Sequence, residues 1–238
     1  MTVECEVRAD GTRLVVSTSG RLQLADVVPL RDQLLKCLAE QPDALLIDLA
    51  GLEAGQPSAL TVFTVVWRQA ACWPGTPVLL CSPTEDTRRH LLQLPLFDGL
   101  AAAYAHLGDG RRAMPLISED LLPVSGSTRH ARDIATEACL LWDLPDLIAP
   151  ASLIVTELVA NVIDHAHTMM SLRISLRARH LHLAVRDGTP RPPEPGGPDE
   201  PASTAGRGLL LVSSVADAWG WLPSEGGKVV WASLRRRP

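Results

Sequence analysis

The first half of the chain alternates short apolar runs with stretches of helical periodicity. The runs at 13–18, 44–49 and 77–81 have the length and the residue types of buried strands. Apolar positions at three- and four-residue intervals predict helices over 24–38, 58–72 and 85–94. This order of strands and helices predicts a small α/β domain with a parallel sheet at its core.

The second half of the chain has a different order of elements. We predict a strand near 114–122, a helix over 127–141 with Ser127 as its N-cap, and a more apolar helix over 151–166. Further along, the patterns predict strands at 171–177 and 180–186, a helix at 207–216 and closing strands at 218–222 and 228–234. Because periodicity lapses around 108–112, we predict two α/β domains, at 1–110 and 119–238, joined by a linker at 111–118.

A segment rich in proline and glycine interrupts the second domain. Residues 188–206 contain six prolines and four glycines, which excludes regular secondary structure. A loop of this length inside a compact domain is uncommon unless it is disordered or acts as a lid. We therefore predict a long flexible loop next to a functional site.

Composition and charge exclude several classes of function. The 238 residues carry a net charge of −5, shared evenly between the halves, which argues against direct nucleic-acid binding. The acidic N-terminal segment has no secretory core, and no uncharged apolar run approaches the roughly 18 residues of a membrane span. We predict a cytoplasmic protein without membrane contact. The five cysteines are scattered and give no metal or redox motif.

Three polar residues share one face of the predicted helix at 151–166. Glu157, Asn161 and His165 stand at i, i+4 and i+8, so successive members are turned by only about 40°. Hard oxygen ligands of this kind suit Mg²⁺, which takes one or two protein ligands together with phosphate oxygens. The same spacing also fits the polar flank of an ordinary amphipathic helix.

The residues that follow favour the functional interpretation. Asp187 and Gly188 end a predicted strand, and after the proline-rich loop Gly206-Arg207-Gly208-Leu209 opens a helix. Glycines at a helix N-terminus let backbone amides approach a phosphate, where the helix dipole also favours an anion. Taken in this order, the motifs indicate a nucleotide-binding site.

In these motifs the second half resembles the ATP-binding domain of the GHKL superfamily, and specifically its bacterial anti-sigma-factor serine kinases. Residues 157–166 match the N box, Asp187-Gly188 the first glycine box and residues 206–209 the second. The closing residues 216–221 and 227–231 also resemble the ending of that branch. The implied fold is the Bergerat α/β sandwich with a flexible ATP lid. Pro190 stands where the wider superfamily has a second glycine.

The resemblance implies a role for each motif. Asn161 would ligate Mg²⁺, Asp187 would accept a hydrogen bond from the adenine amino group, and Glu157 would be the general base that orients a substrate serine. The glycines would let the lid and the helix close over ATP. The implied nucleotide-binding set is Asn161, Asp187, Gly188, Gly206, Arg207, Gly208 and Leu209. Lys228, just before the last strand, is interpreted as a surface charge and His165 as a solvated residue.

The first half resembles the STAS domain of anti-sigma-factor antagonists. The resemblance lies in residues 45–52, Leu-Leu-Ile-Asp-Leu-Ala-Gly-Leu, followed by a turn and a helix. In that family an Asp-Ser pair begins the helix and the serine is phosphorylated. Here Gln56-Pro57 occupies the position, so the phosphoacceptor is absent. Ser58 follows, and is interpreted as a helix-start residue.

Two hypotheses follow from the sequence. The first is an ATP-dependent protein serine/threonine kinase, with a sigma factor or a STAS-domain antagonist as partner and a STAS-like regulatory domain. The alternative is a non-catalytic module in which ATP sets the affinity for a partner protein. A histidine kinase is less favoured, because no helical hairpin with a phosphorylatable histidine precedes the ATPase motifs. The resemblance is compatible with a homodimer.

Overall fold

The computed structural model describes residues 3–108, 115–193 and 207–236. The chain divides into two compact units, Met1–Arg112 and Ala113–Pro238. Both are α/β, as the sequence predicts. A strand that begins at Leu116 lies partly inside the predicted linker at 111–118, so residues 116–118 belong to a sheet. The domain limits themselves stay a prediction.

The first unit is a five-stranded sheet in the order of the chain, with four helices. Its strands are β1 (Glu4–Asp10), β2 (Arg13–Leu22), β3 (Leu45–Ala54), β4 (Val78–Cys81) and β5 (Leu96–Phe97). Its helices are α1 (Val27–Ala39), α2 (Thr61–Cys72), α3 (Glu85–His90) and α4 (Leu100–Leu107). Short 3₁₀ turns at Leu24–Asp26 and Pro57–Leu60 precede α1 and α2.

The sheet of the first unit is mixed, which corrects the expectation of a parallel sheet. Strands β2 to β5 run parallel, but β1 pairs antiparallel with β2 through a two-residue turn that contains Gly11 at φ 61°. Sequence periodicity does not reveal β1, because this edge strand is mostly exposed and charged. The central strand β3 begins with three fully buried residues, Leu45 to Ile47, which matches its uniformly apolar sequence.

The second unit is an antiparallel sheet in the order β6-β7-β8-β10-β9 with three helices. Its strands are β6 (Leu116–Leu121), β7 (Met170–Leu176), β8 (His180–Asp187), β9 (Ala218–Ser224) and β10 (Gly227–Arg235). Its helices are α5 (Ser127–Leu141), α6 (Ile148–Asn161) and α7 (Arg207–Val215). Alternate residues of the strands, such as Leu183 and Val230, share one hydrophobic core with Ile154 and Leu158 of α6.

Two local predictions for the second unit are wrong. Ser127 is the first residue of α5 rather than its N-cap, which is Gly126, and its hydroxyl donates to the carbonyl of Leu122 at 2.7 Å. The predicted helix at 151–166 is α-helical only to Asn161 and continues as a π-helical turn at Val162–Ala166. The predicted flexible loop falls mostly outside the described residues.

The stretch Pro145–Ala166 is apolar and long enough to cross a membrane by length and composition, with a mean hydropathy of 1.6. The sequence interpretation did not single it out. Its apolar character has another explanation in the structure, since Ile154, Val155, Leu158 and Val159 of α6 are buried in the core of the second unit. A buried core helix satisfies the same length and composition test.

We expect the cysteines to react at very different rates in the folded protein. Burial raises the pKa of Cys37, Cys81 and Cys139 to about 11, whereas Cys72 is exposed. Because the thiolate is the nucleophile, iodoacetamide at about pH 8 should modify Cys72 first and leave the three buried thiols intact, as read by mass spectrometry. Denaturant should remove the difference. Rapid modification of Cys139 in folded protein would contradict its burial.

Candidate functional site

Glu157, on helix α6, lies against the first turn of α7. An ideal Cβ built at Gly208 would come within 3.0 Å of the Glu157 carboxylate, closer than real Cβ atoms approach. The Glu157 side chain therefore occupies the space that a side chain at position 208 would need. The structure brings together two predicted site residues that are 51 positions apart. Glycine at 208 is explained here by the carboxylate that lies against it.

Asn161 is the last α-helical residue of α6, one turn beyond Glu157, and is partly buried. The π-turn that follows changes the helical rotation, because each of its hydrogen bonds spans five residues instead of four. The turn ends at His167, which has φ 54° and donates its backbone N–H to the carbonyl of Val162 at 2.8 Å. The common face predicted for Asn161 and His165 assumed a continuous α-helix, and His165 is exposed.

The chain leaving the π-turn contacts the predicted first glycine box. The hydroxyl of Thr168 accepts a hydrogen bond from the Gly188 backbone N–H at 2.9 Å. A Cβ at Gly188 would contact the Thr168 side chain at 3.3 Å, a tight approach. The end of the N-box segment and the end of β8 are thus fixed to each other. Sequence reasoning did not identify Thr168 as part of this arrangement.

Asp187 is buried and forms an ion pair with Lys228. Its side chain is 0% exposed and that of Lys228 is 4% exposed, and Nζ of Lys228 lies 2.8 Å from Oδ2 and 3.1 Å from Oδ1. Oδ1 also accepts a hydrogen bond from the backbone N–H of Thr189 at 2.8 Å. Oδ2 is shielded from solvent and makes no well-aligned hydrogen bond. The ammonium group is therefore the nearest partner of that oxygen.

The burial of Lys228 corrects its interpretation as a surface charge. Lys228 and Asp187 are directly opposite each other in the antiparallel pair of β10 and β8. The sequence contained a signal: with a period of two, Lys228 falls on the same face of β10 as Val230 and Ala232, which is the core face. A lysine on the apolar face of a strand needs a partner, since an unpaired buried charge is costly.

The backbone around this pair leaves no room for side chains. A Cβ at Gly227 would collide with the backbone carbonyl of Asp187. Because the obstacle is backbone rather than a flexible side chain, glycine is required at 227 while β8 and β10 keep this spacing. Sequence reasoning included Gly227 only in the closing motif of the family.

The remaining predicted residues are placed less directly. Leu209 is buried in the hydrophobic core, so its side chain anchors α7 to the sheet. The backbone of Arg207 begins α7, but its side chain lies outside the described part of the structure, as does all of Gly206. The structure therefore leaves the predicted roles of Gly206 and Arg207 as predictions.

Two cavities open on the second unit. One of about 290 Å³ adjoins the end of β8 and is lined by residues that include Met169, Gly188 and Gly226. Another of about 600 Å³ has Pro145, Asp217 and Arg235 among its lining residues, of which Asp217 belongs to the closing motif but not to the predicted site residues. Only the smaller cavity borders predicted site residues, so volume alone does not locate the chemistry.

Comparison with known families decides what kind of unit this is. Residues 125–234 match the family described as the histidine kinase-like ATPase domain. The second unit is a histidine kinase-like ATPase domain. This confirms that the second half resembles a GHKL-type ATPase domain, and such a domain implies ATP binding. The ATPase domain contains α5, α6, α7 and strands β7 to β10, together with Glu157, Asn161, Asp187 and Lys228.

Similarity to individual proteins is weaker. A solved structure titled an anti-sigma factor antagonist from Mycobacterium paratuberculosis is 20% identical, with a TM-score of 0.39, and the match covers 44% of this chain and 94% of that chain. No curated protein matches the chain. A TM-score of 0.39 carries no argument about function. The combination predicted from the sequence, an α/β unit of STAS type before an ATPase domain, accords with the topology of the first unit and the family match of the second.

The described residues suit the phosphate end of Mg²⁺-ATP better than its adenine end. On the α6 side, Asn161 offers an amide oxygen, and no cluster of three His, Cys, Asp or Glu side chains placed for a metal occurs in 3–108, 115–193 or 207–236. A magnesium ion there would depend on phosphate oxygens and water, as is usual for Mg²⁺. At the base end, the oxygen of Asp187 that has acceptor capacity to spare is Oδ2, which is enclosed beside the Lys228 ammonium. Reading of an adenine amino group by Asp187 does not fit unless Lys228 moves.

We expect Gly208→Ala to preserve the fold and to misplace Glu157. The free energy of unfolding should change by less than about 1 kcal/mol, because alanine is favoured in a helix and the obstructing carboxylate is the flexible end of a side chain. ATP turnover should fall about 10²-fold, because the alanine methyl group displaces that carboxylate from its position. Ser213→Ala, at an exposed position on the same helix, is the matched control. Normal ATP turnover in Gly208→Ala would show that the contact between Gly208 and Glu157 is not needed for activity.

Proposed function

We propose that the protein is an ATP-dependent protein serine/threonine kinase that phosphorylates STAS-domain antagonists of anti-sigma factors. In this proposal it also binds a sigma factor or such an antagonist, and so controls transcription in the cytoplasm by partner switching. The observation that carries it is the Glu157 carboxylate held against Gly208 at the start of α7, within a histidine kinase-like ATPase domain. Regulation by partner exchange is in keeping with the two-unit organisation.

The proposed chemistry assigns one task to each residue of α6. Bound Mg²⁺-ATP would supply the phosphoryl group and neutralise its charge, which is most of what phosphoryl transfer requires. Asn161 would hold the metal through its amide oxygen. Glu157 would accept the proton from the hydroxyl of a substrate serine and orient that hydroxyl. Gly208 leaves the carboxylate the space to take this position.

The first unit is proposed to act as an internal regulatory module. Pro57 begins the turn that leads into α2, where the resemblance expects a residue of the phosphoacceptor pair. Proline has no hydroxyl and suits the first position of a helix. Ser58 is exposed beside it. Because proline at position 57 cannot be phosphorylated, the proposed role of the first unit is to contact other proteins.

A second candidate function is a non-catalytic module in which nucleotide sets the affinity for a partner protein. Pro57 favours it, because it leaves the first unit without the expected phosphoacceptor and so fits an adaptor rather than a phosphorylated antagonist. The two candidates differ in one measurement. Only the kinase releases ADP in proportion to phosphate transferred to an added STAS-domain protein.

Both candidates predict that Mg²⁺-ATP stabilises the second unit. At about 100 times the dissociation constant, bound nucleotide should add roughly 2.7 kcal/mol to the free energy of unfolding, measured by calorimetry. Asn161→Ala should lose most of this gain because the metal ligand is removed. Asp164→Ala, an exposed neighbour on the π-turn, should keep it. A full gain in Asn161→Ala would exclude the proposed ligand.

The kinase proposal predicts a specific loss in Glu157→Gln. Nucleotide binding should be nearly unchanged, while transfer to a STAS-domain substrate should fall by roughly 10² to 10⁴, the range for a general base. Glu137→Gln, an exposed position on α5, makes the same chemical change away from the site and should have no effect. Phosphate transfer is followed with labelled ATP. Wild-type rates in Glu157→Gln would remove Glu157 from the mechanism.

A further inference from the structure

Lys228 is placed where it competes with a bound base for Asp187. The two residues face each other across β10 and β8, and each side chain is more than nine-tenths buried. Gly227, directly before Lys228, fixes the close approach of the two strands, because its Cα hydrogen faces the carbonyl of Asp187. The ammonium group is thus held beside the carboxylate by the sheet register itself.

The acceptor capacity that Asp187 retains is enclosed. Oδ1 accepts from the Thr189 N–H at 2.8 Å and from Lys228 at 3.1 Å. Oδ2 lies 2.8 Å from the Lys228 ammonium and has no contact with solvent. Nζ of Lys228 also lies 3.5 Å from the carbonyl oxygen of Thr189. The three N–H groups of the ammonium thus have three nearby acceptor atoms, the two Asp187 oxygens and this carbonyl. A ligand at this position would therefore contact a buried ion pair with no net charge.

A neutral amino group on a base is a weak competitor for this carboxylate. Either donor would bond to the same charged oxygens, but only the Lys228 ammonium adds the Coulomb attraction of a full opposite charge, which is strong in a buried site. Taking Lys228 away from Asp187 would also leave a buried ammonium without its counter-charge, which is strongly unfavourable. An amino group of adenine therefore gains nothing by displacing Lys228. Binding energy for a nucleotide must come from the phosphates and the metal.

We infer that Lys228 is the residue that sets nucleobase specificity in this protein: by pairing with Asp187 it prevents selection of adenine over other purines. The inference rests on the proposed function and concerns the end of the nucleotide site that would hold the base. The wild-type protein binds ATP and GTP with similar affinity. A residue at 228 that lacks the ammonium returns Asp187 to base recognition and produces a preference for adenine.

The test compares ATP and GTP binding, each with Mg²⁺, by calorimetry on the full chain. In the wild type the two dissociation constants should agree within about threefold, since neither base is read. In Lys228→Thr the ATP:GTP preference should rise at least about tenfold, the usual effect of one hydrogen bond to a charged group. Threonine suits a strand and offers a hydroxyl to the carboxylate. Lys228→Gln, which is one atom shorter and uncharged, is a second variant in case threonine impairs folding.

Lysine labelling tests the pair without nucleotide. The chain has two lysines, Lys36 and Lys228. Reductive methylation of folded protein should modify Lys36 at least about tenfold faster than Lys228, because the Lys228 side chain is only 4% exposed and Lys36 is only partly buried. Equal rates would overturn the inference. Lys36→Gln, which removes the same charge in the other unit, serves as the matched control for the binding measurements and should leave the ATP:GTP ratio unchanged.

The outcomes separate this inference from the proposed function. A wild-type protein that already prefers ATP tenfold, with the preference lost in Asp187→Asn, would overturn the inference and leave the kinase proposal intact. Folded Lys228→Thr and Lys228→Gln that show no gain for ATP would overturn it as well. If the wild type binds neither ATP nor GTP at millimolar concentration, the inference and the proposed activity of the natural chain are both overturned.

Discussion

The burial of α6 against the sheet of the second unit determines where its chemistry can lie. One side of the helix, including Ile154, Val155 and Leu158, is enclosed in the core, which fixes the direction in which Glu157 and Asn161 point. Side chains of this size each gain roughly 1.5–3 kcal/mol on full burial, so the rotation of α6 is strongly determined. The position of α7 follows, because Leu209 enters the same core and brings Gly208 to Glu157.

The π-turn after α6 then links the helix to the strands. It ends in a left-handed residue, His167, and the next residue, Thr168, accepts a hydrogen bond from Gly188. π-turns are rare in proteins, and those that occur are often found at functional sites. Here the turn joins the helix that holds the proposed base to the strand end that holds Asp187. One hydrogen bond, from the Gly188 N–H to the Thr168 hydroxyl, thereby ties the end of β8 to the chain that leaves α6.

Much of this fold could be predicted from the sequence, because the principal helices and strands have clear periodicity. The strand β3 and the helix α5 were evident from buried runs and from helical spacing. The strand β1 was not, since an exposed edge strand has no apolar pattern, and neither was α4, whose run of alanines has little amphipathic contrast. The π-turn after Asn161 has no sequence signal either, because apolar positions continue through Val162 and Ile163.

For the candidate site, residue types were predictable and their contacts were not. Glu157 and Gly208 could be named from motifs, but their approach depends on how two helices pack. Lys228 was misjudged because its position before a strand was weighed without the alternation of that strand. Its identity carries a further consequence: the chain uses arginine for twenty of its twenty-two basic residues, so lysine here runs against the compositional trend. A planar guanidinium needs room for five donors, whereas a compact ammonium on a slender stem can be enclosed with a single carboxylate and one carbonyl.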